Sequence, residues 1–423
     1  MMATPKLAAG TRSSVLVDAC QVCGTKALES VLFLGYLPPV NQLPRVGERP
    51  REQPAYPAEL MFCPTCTLVQ LGLVVDPKIL FPPEYPYTSG VTRILHENFA
   101  DLARESAARL GLRSGDLVID VGSNDGTLLS KFQAQGQKVQ GIEPTDAGKI
   151  AVAAGIPTET AFFGRAAAAK VRAQVGQAKV VTAANVFAHI EDVHTIVDGI
   201  LDLLADDGVF ISESHYLMSL METVQYDTIY HEHLRHYSIT SVRHLLAMHG
   251  LEVIFARRIP THGGSIRVYA GRKGKFPVAP EVAAILAEEE QGGPLRDRLA
   301  EFRRRTVMSK LDLYAMLRDR KAKGHRIYGI SAPSRASTLV TYVGLNRDII
   351  DCVLELPGSY KVGKYMPGTL IPIEDESRMF SDPPDVAVLF SWHIADELMP
   401  KLRKKGYRGD FVIPLPEPRL VRG

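Results

Sequence analysis

The sequence predicts an α/β protein with a central doubly wound unit, a second Rossmann-like unit at the carboxy terminus and a small cysteine-bearing domain at the amino terminus. Three observations support this prediction. Strand and helix patterns alternate from Leu117 onwards, a second strand–turn–helix pattern begins at Arg326, and four of the five cysteines form two Cys-x-x-Cys pairs before residue 75. Such alternation is typical of parallel sheets that are covered by helices on both faces.

The clearest element of the central unit is the apolar run 117–121, which stops in a glycine-bearing turn and restarts as a helix. Gly122 and Gly126 allow the backbone to turn sharply and leave room for a ligand against the main chain. The turn lacks the lysine of a P-loop and the complete GxGxxG pattern, and it carries Asp120 and Asp125 instead. Acidic groups at this place suit a cationic or hydroxyl-rich ligand.

The second strand, predicted over 139–142, ends at Glu143, which is placed to accept hydrogen bonds from two ribose hydroxyls. An acid at this position also occurs in dinucleotide folds, so the spacing alone leaves NAD and S-adenosylmethionine (SAM) both open. The Asp-x-Gly-x-x-x-Gly form of the first turn resembles the class I SAM-dependent methyltransferases and favours SAM. Four further strands bring the sheet close to the seven strands of that fold, at 180–184, 208–212, 251–255 and 265–270.

Composition excludes several classes of function. The 423 residues carry 49 Lys and Arg against 47 Asp and Glu, so the overall charge offers no strong attraction for nucleic acid or an anionic membrane. No apolar run is long enough for a signal peptide or a membrane span. We therefore expect a soluble cytoplasmic protein with no nucleic-acid or membrane partner.

The paired cysteines predict a structural zinc site. Cys20 and Cys23 form the first knuckle, Cys63 and Cys66 form the second, and two such knuckles complete a tetrahedral Zn²⁺ site. Two disulfides or free buried thiols are the alternative, although a reducing compartment disfavours disulfides. Cys352 stands alone and is expected to be a buried, inert thiol.

Changes of pattern along the chain predict four regions. The zinc-binding domain covers 1–75, and the SAM-binding domain covers 76–274 and includes a tyrosine-rich loop at 81–90. A charged helical connector follows over 275–323, and the second Rossmann-like domain covers 324–423.

The loop of the second strand–turn–helix pattern differs chemically from the first. Ser334 and Arg335 lie near the start of a predicted helix, a combination that suits phosphate. An ordinary βα turn with a surface arginine explains the same residues. Lys361 and Lys364, in the loop after the next strand, could add to an anion site.

The densest group of titratable residues lies between the strand at 208–212 and a serine-capped helix. If this segment is helical, Tyr230 and His233 share a face. A histidine can remove a moderately acidic proton and a neighbouring tyrosine can donate to an oxyanion, which together suit enolisation of a ketone. Glu232 could orient a histidine or act as the base. A metal site and a surface helix with incidental histidines are the alternatives.

Another polar pair follows the strand at 180–184. Asn185 and His189 are expected at the carboxyl edge of the sheet, where ligands bind in such folds. For His189, a structural role and a catalytic role both fit the sequence.

Together these motifs resemble, over nearly the whole chain, the nucleotide-sugar C-methyltransferase family. The resemblance rests on the cysteine knuckles, the two Rossmann-like units and motifs whose order matches that family, namely Asp120–Gly126, Gly141–Pro144, Ala161–Phe163, Asn185–Ile190, Tyr230–His233 and His262–Ser265. It implies a zinc-binding domain, a SAM-binding core and a carboxy-terminal domain that helps to hold the nucleotide. Members methylate carbon 3, or in relatives carbon 5, of NDP-4-keto-deoxysugars.

The resemblance also implies roles for individual residues. His233 would be the base, with Tyr230 and Glu232 beside it, His189 near the acceptor, and Tyr85 or Tyr87 reaching the site from the loop. The residues expected to bind the cofactor are Asp120, Gly122, Asn124, Asp125, Glu143, Phe162, which would contact the adenine, and Asn185. The residues expected to bind the substrate are His262, Gly263, Ser334, Arg335, Lys361 and Lys364. Ser334-Arg335 departs from the small residue and lysine of many relatives, which bears on the identity of the nucleotide.

The resulting hypothesis is a SAM-dependent C-methyltransferase that acts next to the ketone of an NDP-4-keto-deoxysugar, at carbon 3, through an enolate made by His233. An O- or N-methyltransferase of another small molecule, an NAD-dependent sugar enzyme and a non-catalytic zinc-binding protein are the competing hypotheses. The sequence leaves open the sugar, the nucleotide, the methylated carbon, and whether the protein is a monomer or a homodimer.

Overall fold

A computed structural model of the chain describes residues 8–9, 13–83, 88–91 and 93–423. Within these residues the strands form four sheets, of three, four, seven and six strands. The two larger sheets are the centres of two α/β units, and the two smaller ones lie in the amino-terminal region. The predicted fold class, with two Rossmann-like units and a small amino-terminal zinc-stapled region, is confirmed.

The amino-terminal region is an antiparallel structure in which the cysteines lie in turns. The short apolar runs 31–34 and 68–71 fall largely within strands, and their apolar side chains are mostly buried. The elements of this region are β1 (Ala8–Ala9), β2 (Ser14–Leu16), β3 (Glu29–Leu37), β4 (Tyr56–Phe62), β5 (Val69–Leu71), β6 (Leu73–Val75) and the short helix α1 (Pro77–Leu80).

The central unit is a seven-stranded sheet with the spatial order β13-β14-β11-β10-β7-β8-β9. The pairs from β9 through β8, β7 and β10 to β11 are parallel, whereas β14 pairs antiparallel with both β11 and β13. Its elements are α2 (Arg93–Leu110), β7 (Leu117–Val121), α3 (Thr127–Gln133), β8 (Lys138–Ile142), α4 (Ala147–Ala153), β9 (Thr158–Glu159), α5 (Arg165–Val175), β10 (Ala178–Ala184), α6 (Val193–Leu203), β11 (Leu204–His215), α7 (Leu217–Glu222), β12 (Arg235–His236), α8 (Ile239–Met248), β13 (Leu251–Ile259) and β14 (Ser265–Arg272).

Local chemistry explains why these elements begin and end where they do. Four of the five residues of β7 are buried, as expected for a strand covered on both faces. Gly126 has a φ of 78° and ends the turn before α3. The side chains and backbones of Ser238 and Ser241 form a reciprocal capping box at the start of α8.

The carboxy-terminal unit is a six-stranded sheet in the order β17-β16-β15-β18-β19-β20, parallel except for the last pair. Two long helices precede it in the predicted connector. The elements are α9 (Pro280–Gln291), α10 (Leu295–Lys321), β15 (Ile327–Ile330), α11 (Ser334–Val343), β16 (Cys352–Glu355), β17 (Ile373–Asp375), α12 (Arg378–Ser381), β18 (Val386–Leu389), α13 (Ala395–Lys404), β19 (Asp410–Ile413) and β20 (Arg419–Val421).

The amino-terminal region is joined to both α/β units by backbone hydrogen bonds. Strand β12 of the central unit pairs antiparallel with β5 and becomes the edge strand of the four-stranded sheet. On the other side, the Tyr365 N–H donates to the Pro44 carbonyl at 2.7 Å and the Val46 N–H donates to the Gly363 carbonyl at 2.9 Å. Because these ties cross the predicted boundaries, the four regions share interfaces, and the exact boundaries stay a prediction.

Across the described ranges, none of the helices has both the length and the apolar character needed to cross a bilayer.

Candidate active site

A cavity of about 700 Å³ opens where the three units meet. Its wall includes the loops after β7, β8, β10 and β11, so it lies at the carboxyl edge of the central sheet. Residues of the amino-terminal region and of the loop before α11 close the other sides.

One end of the cavity is formed by the first turn of the central sheet. Gly122 has a φ of 69°, and a Cβ placed there would lie 2.4 Å from a methyl group of Val186, so only glycine fits. The backbone N–H of Asn124 donates to Oε2 of Glu143 at 3.0 Å. The N–H and hydroxyl of Thr145 donate to Oε1 at 2.9 and 2.6 Å. These bonds fix the carboxylate of Glu143 in the cavity wall, where it fits the predicted contact with ribose hydroxyls.

The two aspartates of the turn point away from this wall. Oδ1 of Asp120 accepts a hydrogen bond from the Thr182 hydroxyl at 2.6 Å, and burial raises the pKa of Asp120 to about 7. Asp125 accepts from the Gly90 N–H at 2.7 Å and from the Thr127 hydroxyl at 2.6 Å. Neither carboxylate lines the cavity, in contrast to their predicted role as cofactor ligands. Through these hydrogen bonds, both carboxylates stabilise the turn.

Two more predicted cofactor residues do lie in the wall. Asn185 has a φ of 61°, and its buried Oδ1 has no hydrogen-bond partner among the described residues. Phe162 is 49% exposed at the cavity rim, which leaves its ring open to a flat ligand.

The segment with the predicted base is not helical, so the helical interpretation is wrong. After a single 3-10 turn at Tyr226–Thr228 the chain runs through an irregular turn into β12. At the end of the segment, pairing of β12 with β5 keeps Arg235 and His236 extended, so a helix cannot continue through them. The rings of Tyr230 and His233 still meet, with centroids 4.2 Å apart.

The hydrogen bonding of His233 defines its tautomer. Nδ1 lies 2.6 Å from the Thr228 carbonyl oxygen, which can only accept, so Nδ1 carries the hydrogen and Nε2 carries the lone pair. Burial lowers the pKa of His233 to about 4. The imidazole is therefore neutral at pH 7 and able to accept a proton at Nε2.

Other histidines surround His233. Its ring centroid lies 5.0 Å from that of His189 and 4.8 Å from that of His215, and the rings of His215 and His262 are 5.6 Å apart. Burial lowers the pKa of each of these three side chains. All three line the cavity, so the wall around His233 offers neutral hydrogen-bonding groups.

His215 was missed by sequence reasoning because β11 extends three residues beyond the predicted strand end at 212. Sequence reasoning could have identified His215 from its position at the carboxyl end of that strand. His393 also lines the cavity and was missed, since it follows β18 in the distant second unit.

Glu232 lies at the contact between all three units. Its Oε1 accepts from the Asn41 amide at 2.9 Å, and Oδ1 of Asn41 accepts from the Ser334 hydroxyl at 3.3 Å. Glu232 and Ser334 line the cavity. The predicted residues Tyr85 and Tyr87 fall outside the described residues.

The predicted anion ligands of the second unit are engaged within the protein. Arg335 lines the cavity but is buried and forms a two-pronged ion pair with Asp227, so its charge is offset and its contact with a nucleotide stays a prediction. Lys361 donates to the Ala332 carbonyl at 2.5 Å, and burial lowers its pKa. The ammonium of Lys364 stands 4.7 Å from the Tyr360 ring centroid. Neither lysine lines the cavity, and the predicted Gly263 also lies outside its wall.

The four cysteines of the two knuckles converge. Their sulfur atoms all lie within 4.8 Å of one another, and the closest pairs, Cys20–Cys66 and Cys23–Cys63, are 3.4 and 3.5 Å apart. These separations are well above the roughly 2.05 Å of a disulfide. The donor set and spacing fit a tetrahedral, structural Zn²⁺ site. Within the described residues, this is the one group of three or more His, Cys, Asp or Glu side chains whose ligand atoms lie close enough together to hold a metal ion.

Comparison with known proteins matches all three regions. Residues 20–81 match the model of a zinc binding domain, 93–255 a methyltransferase domain, and 260–416 the C-methyltransferase C-terminal domain. The chain is 32% identical over 409 residues to C-methyltransferase NovU of Streptomyces niveus, across 96% of this chain and 97% of NovU.

Two solved methyltransferase structures are similar to part of this chain. Magnesium protoporphyrin IX methyltransferase (ChlM) from Synechocystis PCC 6803 with bound SAM is 18% identical, covering 42% of this chain and 79% of its own, with a TM-score of 0.32. The 1,6-didemethyltoxoflavin-N1-methyltransferase of Burkholderia thailandensis is 15% identical, covering 43% and 82%, with a TM-score of 0.33.

Proposed function

Because this chain belongs to the C-methyltransferase family and is therefore a SAM-dependent C-methyltransferase, we propose that it methylates an NDP-4-keto-deoxysugar at carbon 3, next to the ketone. One observation carries the proposal. A neutral histidine with its Nε2 lone pair available lies in the cavity between the first turn of the central sheet and the second α/β unit. A cytoplasmic location stays a prediction.

The first turn would hold SAM. Glu143 would accept the ribose hydroxyls, Phe162 would contact the adenine, and Gly122, Asn124 and Asn185 would lie along the rest of the cofactor. When bound, SAM supplies an electrophilic methyl group on a sulfonium.

His233 would act as the base. A ketone acidifies the carbon beside it, and Nε2 of His233 would take that proton while Nδ1 keeps its hydrogen and donates it to the Thr228 carbonyl. The resulting imidazolium would then donate from both nitrogens. Tyr230, His215 and His262 are the neighbouring side chains that could donate to the enolate oxygen.

The low pKa of His233 keeps the base unprotonated at neutral pH, although it also makes the base intrinsically weak. Catalysis must then come mainly from position and from stabilisation of the enolate. Enclosure by three units fits this need, because it removes water from the reacting carbon.

The second α/β unit would contact the nucleotide from the opposite wall. Ser334 and His393 lie there, and the charge of Arg335 is offset by Asp227. Support for the nucleotide comes from the resemblance to the nucleotide-sugar C-methyltransferases.

The reaction is tested by supplying SAM with a ¹³C-labelled methyl group together with an NDP-4-keto-deoxysugar. We expect the label on carbon 3 of the sugar in the NMR spectrum of the product. A label on oxygen or nitrogen, or no labelled sugar, would contradict the proposal.

A further inference from the structure

A buried ion pair joins the second α/β unit to the loop that carries His233. We define residues 225–237 as the acceptor loop. Arg335, the second residue of α11, donates from Nε to Oδ2 of Asp227 and from Nη2 to Oδ1, both at 2.8 Å. The side chains are 8% and 1% exposed, so the pair is shielded from water.

Arg335 has further contacts on both sides of this pair. Nη2 also donates to Oε1 of Gln225 at 3.0 Å, and Nη1 donates to the His262 carbonyl at 3.3 Å. The indole N–H of Trp392, also in the second unit, donates to Oδ2 of Asp227 at 2.8 Å, and its ring stands 5.0 Å from the guanidinium carbon. Two side chains of the second unit thus hold both segments that border the histidine cluster.

Asp227 immediately precedes the residue that defines the tautomer of His233. The Thr228 carbonyl accepts the Nδ1 hydrogen, and the Thr228 N–H donates to the Gln225 carbonyl at 3.1 Å. The 3-10 turn is held by the Thr228 hydroxyl, which donates to the Gln225 carbonyl at 2.8 Å, and by the Ile229 N–H, which donates to the Tyr226 carbonyl at 3.1 Å. The buried carboxylate of Asp227 adds the side-chain tie that fixes this turn, and with it the Thr228 carbonyl, against the second α/β unit.

Stability alone is a weak explanation for such a pair. The cost of removing two charges from water offsets most of their attraction. Apolar residues of similar volume often give the same stability. A planar, two-pronged contact does define position and orientation closely.

We infer that Arg335 is a positioning residue for methyl transfer: through Asp227 it fixes the Thr228 carbonyl and so keeps the hydrogen of His233 on Nδ1 and the lone pair on Nε2. The inference rests on the proposed function insofar as that function makes His233 the base. It assigns the second α/β unit a part in aligning the base, separate from contact with the substrate.

The test compares Arg335→Lys and Asp227→Asn in the full-length, zinc-loaded protein. Lysine keeps the charge but not the fork, and asparagine keeps the shape but not the charge. Arg320→Lys is the control, because Arg320 of α10 pairs with Asp410 of the second unit at 3.3 Å and neither residue lines the cavity. The readouts are kcat, the Kd of SAM, the unfolding temperature, and ¹⁵N NMR of the His233 ring.

We expect both variants to lose about 100-fold in kcat, as for a misplacement of about 1 Å, with little change in the Kd of SAM. The unfolding temperature should fall, most in Asp227→Asn, because the buried Arg335 charge then loses its partner, so kcat is compared at a temperature where all variants are folded. The ¹⁵N shifts of His233 should move from the Nδ1–H form towards a mixture of tautomers. Arg320→Lys should resemble the parent in every readout.

Parent-like His233 shifts in both variants would overturn the inference, whatever happens to kcat. A changed tautomer with parent-like kcat would also overturn it as a catalytic device, and would count against His233 as the base. If a charge variant does not fold, Trp392→Phe removes one N–H donor to Asp227, keeps an aromatic ring, and should move the same readouts in the same direction by a smaller amount.

Discussion

The two α/β units begin with the same strand–turn–helix arrangement. At the first turn the Gly122 N–H donates to the Ile142 carbonyl, and at the second the Ser331 N–H donates to the Leu354 carbonyl, both at 2.8 Å. In each case an acid at the tip of the neighbouring strand accepts from the turn, Glu143 from Asn124 and Glu355 from Ala332, both at 3.0 Å.

The side chains around the turns make the difference. At the first turn Glu143 lines the cavity, and glycine leaves the backbone accessible. At the second, Lys361 covers the Ala332 carbonyl and Arg335 reaches across to Asp227 in the central unit. The first turn thus presents an accessible backbone to the cavity, whereas side chains tie the second turn to other parts of the protein. A Rossmann-like turn therefore predicts a place for chemistry, but its side chains decide which chemistry.

The largest expected difference between the two turns comes from changing their equivalent acids, Glu143 and Glu355. Glu143→Gln replaces one acceptor by an amide that faces the N–H donors of Asn124 and Thr145, and it removes a charged acceptor for ribose hydroxyls. We expect the affinity for SAM to fall about 100-fold, measured by calorimetry. Glu355→Gln should leave that affinity unchanged. Equal losses in the two variants would show that the turns are not functionally distinct.

A smaller effect is expected from the glycine of the first turn. Gly122→Ala would place a Cβ 2.4 Å from Val186 at a φ of 69°. We expect a loss of about 2 kcal/mol in the free energy of unfolding, together with weaker SAM binding. Gly344, in the second unit, has a φ of 85° with open space around an added Cβ. Gly344→Ala should therefore lose only the free energy of holding alanine at a positive φ. Urea unfolding of both variants measures the difference, and identical losses would contradict a crowded first turn.

The last effect depends on pH and concerns Asp120 of β7, whose equivalent position in β15 is occupied by Gly329. Burial raises the pKa of Asp120 from 3.8 to about 7, so the folded state holds this proton more tightly than the unfolded state. The free energy of unfolding should therefore fall as the pH rises from about 4 to 7, by no more than about 4 kcal/mol from this group. Asp120→Asn should remove that contribution, so that its advantage over the parent grows with pH. A constant difference across this range would contradict the raised pKa.

Much of the central unit could be predicted from the sequence, because its signals are local. The strand before Gly122 and the acid at Glu143 are defined by residues close to them in the chain, and the cysteine knuckles have a spacing that identifies a metal site. Their placement in the structure agrees with what those patterns indicate.

The rest depends on partners that are distant in the chain. The residues of the acceptor loop on their own leave a helix open, whereas the structure has one 3-10 turn, an irregular turn and the strand β12, which pairs with the distant β5. Arg335 looked like a phosphate ligand because its partner Asp227 is 108 residues away. Local patterns contain no information about such contacts. The sequence therefore predicts individual site residues but not the contacts that join them.

The central claim is that His233 removes a proton from the carbon beside the ketone. Its most direct test is solvent deuterium exchange at that carbon of an NDP-4-keto-deoxysugar, followed by NMR in the absence of SAM. The account predicts exchange with the parent protein and a loss of about 1,000-fold in His233→Ala, with the Kd of SAM retained. Exchange at the parent rate in His233→Ala would contradict it.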